Sequence, residues 1–217
     1  MDKEYDKVKG YLSLVAPFEL KRFLWGMLGL INILNPLIFN FLNDLGLKQS
    51  IFQPKNIIFI VITIVFDCWG ILILLDINRR QKQFILFSGL ISLFLSTMYI
   101  EVFYDIIYLI LEIKSITYIL IVILVSILIL ISNFAFLMHA IANGYFSKEN
   151  NRKEIGISFV LTFVSVGMIG EKLYSKFSDI RSQLVIVGMA VLLFGYCFLF
   201  TVHNIYKYYL IKKHKKC

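Results

Sequence analysis

Apolar residues in this chain gather into long runs, and most of the charged residues collect between them. Six runs stand out: Phe23–Asn43, Ile57–Ile77, Phe84–Phe103, Ile116–Ala142, Ile155–Gly170 and Leu184–Tyr206. As α-helices rising about 1.5 Å per residue, each is long enough, or nearly so, to cross about 30 Å of hydrocarbon. The fifth run is short and the fourth long, so their tilts should differ. The pattern predicts an all-α polytopic membrane protein, a bundle of six transmembrane helices in one domain. Short connections should make sequence neighbours antiparallel and adjacent. Residues 1–22 read as a cytoplasmic, interfacial N-terminal segment, 23–206 as the transmembrane domain and 207–217 as a basic cytoplasmic tail.

Composition agrees with that reading. Of 217 residues, 59% are apolar and only 17% charged, with a mean hydropathy of +0.79. A water-exposed domain of this composition would carry large sticky patches. The six runs leave no length for a separate soluble catalytic or regulatory domain. The net charge of +8 does not point to nucleic acid, because Lys and Arg lie between the runs and form no basic or aromatic-interleaved face. They act instead as topology signals. The N-terminal segment, the second and fourth connections and the tail hold sixteen Lys and Arg, against six in the other three connections. Short Lys/Arg-rich connections stay cytoplasmic, so both termini are expected inside a bacterial plasma membrane. Cys68, Cys197 and Cys217 make an odd set, two of them deep in apolar runs, which argues against a disulfide framework. No signal peptide is read in the first 22 residues, which are charged at both ends.

The two ends suggest contact with lipid. Tyr11, Leu12, Leu14, Val15 and Phe18 followed by Glu19, Lys21 and Arg22 suit a short helix on the cytoplasmic leaflet. Tyr206, Tyr208 and Tyr209 suit the headgroup level, with Lys212, Lys213, Lys215 and Lys216 beyond them facing anionic lipid. Cys217 is not followed by the three residues a prenylation box requires.

Polar residues inside the runs are the candidate chemistry. Asp67 stands about ten residues into the second run, where a carboxylate costs roughly 2.5 to 3.5 kcal/mol on insertion scales, so it must face protein or water. By depth, Asn32 and Asn35 in the first run and Ser96 and Thr97 in the third are its reachable partners. Two readings are open: a proton- or ion-responsive carboxyl, or a hydrogen-bonded Asp that clips helices together. Asn35-Pro36 predicts a kink, since proline removes an N–H and pushes away the carbonyl of Asn32. Asn32, Asn35 and Asn40 could satisfy what the kink frees or line a polar seam beside Asp67. Gly26, Gly29, Gly167 and Gly170 read as close-packing points.

Glu101, Asp105 and Glu112 share one face of a continuous helix at the extracellular side, with only Lys114 beside them in the connection. This stripe is either an acidic face for a cationic peptide or protein, or a merely solvated one. His139 and His203 fall at the cytoplasmic ends of runs four and six, within the similar strings Phe134–Ile141 and Phe198–Ile205. Such similarity in aromatic-rich strings suits chance better than internal repetition.

Motifs for catalysis are missing. His139-Ala-Ile-Ala-Asn143 matches the HxxxN element of CAAX-type intramembrane proteases, but the paired-glutamate element of that family is absent from the sequence. Neither HExxH, GxSxG nor a phosphate-cradling GxxxxGK[ST] loop occurs, and two isolated histidines make a poor zinc site. The expectation is a non-enzymatic protein without cofactor or metal.

As a whole the chain resembles the small, Ile-, Lys- and Phe-rich polytopic membrane proteins of low-GC Gram-positive bacteria, including those encoded around type VII secretion clusters and bacteriocin immunity proteins. The resemblance is one of composition and topology over the full length. It implies a protein that binds a protein partner and protects its cell against a membrane-active toxin, with Glu101, Asp105 and Glu112 as the face to test. Six spans with both termini inside also fit the membrane subunit of an ABC-2-type exporter. That subunit would need an ATPase touching Asp76, Arg79, Arg80 and Lys82 or Lys148 to Glu154. A transporter or channel using Asp67 is the third possibility.

Overall fold

The computed structural model describes residues 17–34, 36, 40, 54–110, 116–143 and 180–214, and within the regular elements all of these are helical. Helix α1 (Pro17–Gly29) runs into a π-helical turn at Leu30–Leu34. Helix α2 is Pro54–Leu75, α3 is Ile77–Asp105 with a π-helical turn at Ile106–Ile110, and α4 is Ile116–Ala142. Helix α5 (Ile180–Leu199) passes through a 3₁₀ turn at Phe200–Val202 into α6 (His203–His214).

Four of these rods are long and apolar enough to cross a membrane: α2, α3 through Tyr108, α4, and α5 with α6. They correspond to the second, third, fourth and sixth runs, and α4 has the bounds the sequence suggests. The fifth run, Ile155–Gly170, lies outside the described residues, as do most of the second half of the first run and the acidic Glu112.

The prolines explain several boundaries. Pro17 and Pro54 each open a helix, the position where a missing N–H costs nothing and the fixed φ is already helical. Pro36 is the interior one, and the π-helical turn immediately before it is the distortion expected there. Helix α1 therefore starts at Pro17, not Phe23. Glu19, Lys21 and Arg22, expected in a separate interfacial helix, form the first turns of the helix that carries the first run. Its Leu20, Leu24, Met27, Leu28 and Ile31 are all buried, one stripe at helical spacing.

The second connection is also shorter than expected. Arg79 to Gln83 are good helix formers and belong to α3, leaving Asp76 alone between two helices. The Asp76 carbonyl accepts the Arg80 N–H at 3.1 Å, and its carboxylate lies 3.7 Å from Arg79 Nε.

Helix α3 is the centre of the bundle. Of its apolar stretch 61% is buried, against 11% for α2 and 6% for α4. It is also the least apolar of the four, with mean hydropathy 1.8 where the others reach 2.5 to 2.9. Its hydroxyls explain why it goes inside. Ser88, Ser92 and Ser96 form an i, i+4, i+8 stripe, all buried. Ser88 Oγ donates to the Ile85 carbonyl at 2.9 Å and Ser92 Oγ to the Ser88 carbonyl at 2.7 Å, so these two carry little polar cost.

Small residues let α5 and α6 lie against this helix in antiparallel register along its length. A Cβ built on Gly188 would touch Phe103 and Ile106, one on Gly195 would touch Tyr99 and Ser96, and one on Gly89 would lie 2.9 Å from the Ile205 backbone nitrogen. Gly70 of α2 receives Leu28 of α1 in the same way. At Gly26 and Gly29 no described residue lies within 4 Å of a Cβ. Among the described residues they are therefore not close-packing points. Gly167 and Gly170 lie outside the described residues.

Candidate functional site

Three of the polar connections between the described helices are each anchored by a side chain that hydrocarbon would otherwise punish. The first links α1 to α2. Asn32 Nδ2 donates to Asp67 Oδ1 at 2.9 Å and to the Leu28 carbonyl at 2.9 Å. Asn32 stands in the π-helical turn, so the distortion ahead of Pro36 carries the amide that meets the carboxyl. Asp67 is half-buried. Of the expected partners, Asn32 is brought to it, and Asn35 lies outside the described residues. Thr97 Oγ1 instead donates to its own helix at the Leu93 carbonyl, 2.9 Å away. Ser96 Oγ is buried without a hydrogen-bond partner among the described residues, as is Tyr99 OH.

The second connection joins the far ends of the α2–α3 hairpin. Lys55 Nζ donates to both carboxylate oxygens of Asp105 at 2.7 Å and to Glu101 Oε1 at 3.3 Å. Glu101 and Asp105 do share a helix face, one turn apart, as their spacing requires. That face turns toward α2, however. Asp105 is 3% exposed, so it is not part of an open acidic surface. Among the described residues Lys55, 46 and 50 residues away in sequence, is a cation that offsets the pair. Sequence neighbourhood points to Lys114, which lies outside the described residues; the hairpin brings in the lysine beside Pro54.

The third connection was not singled out from the sequence. Asn133 of α4 donates from Nδ2 to the carbonyls of Leu199 (3.2 Å) and Phe200 (3.0 Å). These carbonyls lie where α5 tightens into its 3₁₀ turn, and His203 Nδ1 also donates to Phe200 O. One amide thus satisfies a break in the neighbouring helix, the usual requirement for irregular backbone at membrane depth. A lone Asn in a run as apolar as Ile116–Ala142 is the signal that would have found it. Tyr196 OH, donating to the Val122 carbonyl at 3.2 Å, ties the same two helices nearer their other ends.

No family model, curated protein or solved structure matches this chain.

The two histidines are held separately. His139 is exposed and receives the Asn143 amide at 2.9 Å, a contact within one helix turn. His203 is engaged with its own helix's break. No group of three metal-ligating side chains occurs among the described residues. The similar strings around them occupy unlike surroundings: Phe198 is buried beside Tyr99, with ring centroids 5.8 Å apart, while Phe134 packs on Tyr206 at the bundle's edge.

Chemically, these are donor–acceptor clamps between helices. The centre between them is filled by Phe87, Ile91, Leu95 and Tyr99, each 1% exposed or less. Phe66, Trp69, Phe87 and Phe94 add a run of ring contacts at 5.4 to 5.8 Å between α2 and α3.

Proposed function

We propose that this chain is a non-enzymatic, six-span protein of the bacterial plasma membrane, with both termini cytoplasmic, that binds a protein partner. A secretion component or a membrane-active toxin, against which it would provide immunity, is the partner class the reading favours. The observation that carries this reading is the packed centre of the bundle. Asp67 is committed to Asn32 and the core around α3 is filled with rings and branched side chains, which suits a rigid binding scaffold better than a conduit. Helix α4 supports it from outside. It is held through Asn133, Tyr196 and a few apolar contacts, and Leu120, Leu124, Ile127 and Ile131 along it are at least half exposed. Such a face suits another membrane-embedded chain as well as lipid.

The test is affinity purification of the tagged protein from its native membrane in mild detergent, with photo-crosslinkers at Leu124 and Ile131 and, as a buried control, Val122. A secreted toxin or secretion component captured at the two outward positions and not at Val122 supports the proposal. Recovery of an ATPase bound through the loop at Asp76 would make the chain an exporter subunit and overturn it.

A further inference from the structure

The acidic residue of α2, Asp67, stands near the middle of the helix on a face that the other described helices leave open. Ile60, Ile64, Asp67 and Ile71 recur at helical spacing, and the three isoleucines are 44%, 54% and 51% exposed. Asn32 and Ile33, in the π-helical turn of α1, extend this face and are exposed as well. Asp67 itself is half-buried, where Asp105 is nearly sealed.

The hydrogen bonds at Asp67 leave it short of donors. Asn32 Nδ2 gives one N–H to Asp67 Oδ1 and the other to the Leu28 carbonyl, so this amide has no further proton to offer. Oδ2 accepts from no described residue. At Asp105 the same need is met by the Lys55 amine, 2.7 Å from both oxygens. Asp67 has no counterpart of that lysine. None of the six apolar runs contains a Lys or Arg, so neither this chain nor a second copy of it carries a cation in a span at this depth. Ionisable groups inside spans pair with one another across helices, and the missing half of this pair must then come from a different chain.

We propose that this face docks a transmembrane helix of another protein that carries a lysine or arginine near its own middle. The cation pairs with Asp67 Oδ2 while Asn32 holds Oδ1, and Ile60, Ile64 and Ile71 pack against the aliphatic stem and its apolar neighbours. Charge sets the depth at which the two helices meet, and the isoleucines supply the contact area. The proposal rests on the reading of the chain as a partner-binding membrane protein, but on a face separate from that of α4, so that either face can fail without the other.

Energy transfer from the native tryptophans to a dansylated peptide tests it, with the full-length protein in phosphatidylcholine vesicles; Trp69 lies two residues from Asp67. The peptides are Leu/Ala helices of about 20 residues with Lys, Gln or Leu at the centre. The Lys peptide should bind saturably, at least about tenfold more tightly than the other two, a comparison that needs no variant of the protein. Asp67→Asn, which keeps the bond to Asn32, should lower the Lys peptide to the level of the Gln peptide. Asp67→Glu, which keeps the charge, should retain the preference for Lys. Equal binding of the three peptides, or a Lys preference that survives Asp67→Asn, would overturn the proposal. A disulfide between the exposed Cys68 thiols of two copies, abolished by Asp67→Asn, would assign the face to self-association and overturn it too.

Discussion

Lys55 Nζ sits 2.7 Å from both carboxylate oxygens of Asp105, closing the open end of a hairpin whose other end turns on the single residue Asp76. The lysine is one-third exposed and the aspartate is nearly sealed from solvent. Removing the amine takes a 2.7 Å partner from a nearly buried carboxylate, and breaking a fully buried pair costs several kcal/mol. Lys55 retains some solvent, so Lys55→Met should destabilise the protein by roughly 2 kcal/mol. Glu101→Gln, at 3.3 Å and more exposed, should cost under about 1 kcal/mol. Adding Asp105→Leu to Lys55→Met should restore most of the loss. Thermal melts of the three variants in detergent check the order, and a Glu101→Gln effect as large as that of Lys55→Met would contradict it.

Asp67→Asn keeps an acceptor oxygen for the Asn32 amide, whereas Asp67→Leu does not. Interhelical hydrogen bonds in membranes are worth about 0.6 kcal/mol on average and about 1.7 at most. Asp67→Asn should therefore melt close to the parent and Asp67→Leu measurably below it. In planar bilayers Asp67→Asn should leave conductance at the parent's level. A current abolished by that substitution would revive the ion-conducting role.

Two glycines should respond in opposite directions to alanine. At Gly89 the new methyl would meet the Ile205 backbone nitrogen at 2.9 Å and its Cγ1 at 2.7 Å. The α3–α6 contact must then open, at a cost of about 1 to 3 kcal/mol. At Gly26 no described residue stands within 4 Å, so alanine should be neutral or raise stability by up to about 1 kcal/mol through helix propensity. Melting temperatures of the pair decide this, and a Gly26→Ala loss matching that of Gly89→Ala would disprove the packing described.

Asn133→Leu removes the amide that serves two carbonyls of the 3₁₀ turn. It is expected to lower stability by about 1 kcal/mol. It should also speed hydrogen exchange at the amides of residues 199–204, which the bond holds in place. Unchanged exchange there would show that the turn closes without α4.

Topology has a direct assay in the native thiols. With both termini inside, a membrane-impermeant maleimide should label Cys217 only after cells are permeabilised. Cys68 and Cys197, within apolar helices, should react weakly in either condition. Labelling of Cys217 on intact cells would reverse the orientation.

The run lengths alone determined that the chain is helical and membrane-spanning, because about 20 apolar residues in lipid must bond their own backbone. They also placed α4 with its observed bounds, while depth counting offered Asn32, Asn35, Ser96 and Thr97 alike to Asp67, and the fold brings Asn32 to it. Local patterns failed where a choice depended on residues far away in sequence. The spacing of Glu101 and Asp105 put them on one face, but only the hairpin decided that this face meets Lys55 and not solvent. Any glycine in a span reads as a packing point, yet which of them meet a neighbour depends on how the helices rotate about their axes, and this selected Gly70, Gly89, Gly188 and Gly195 over Gly26 and Gly29. Asn133 stayed hidden for the same reason: its meaning lies in two carbonyls some 66 residues onward. Hydrophobicity sets which segments enter the membrane, while helix rotation and register, fixed by side-chain fit, set which polar groups find one another there.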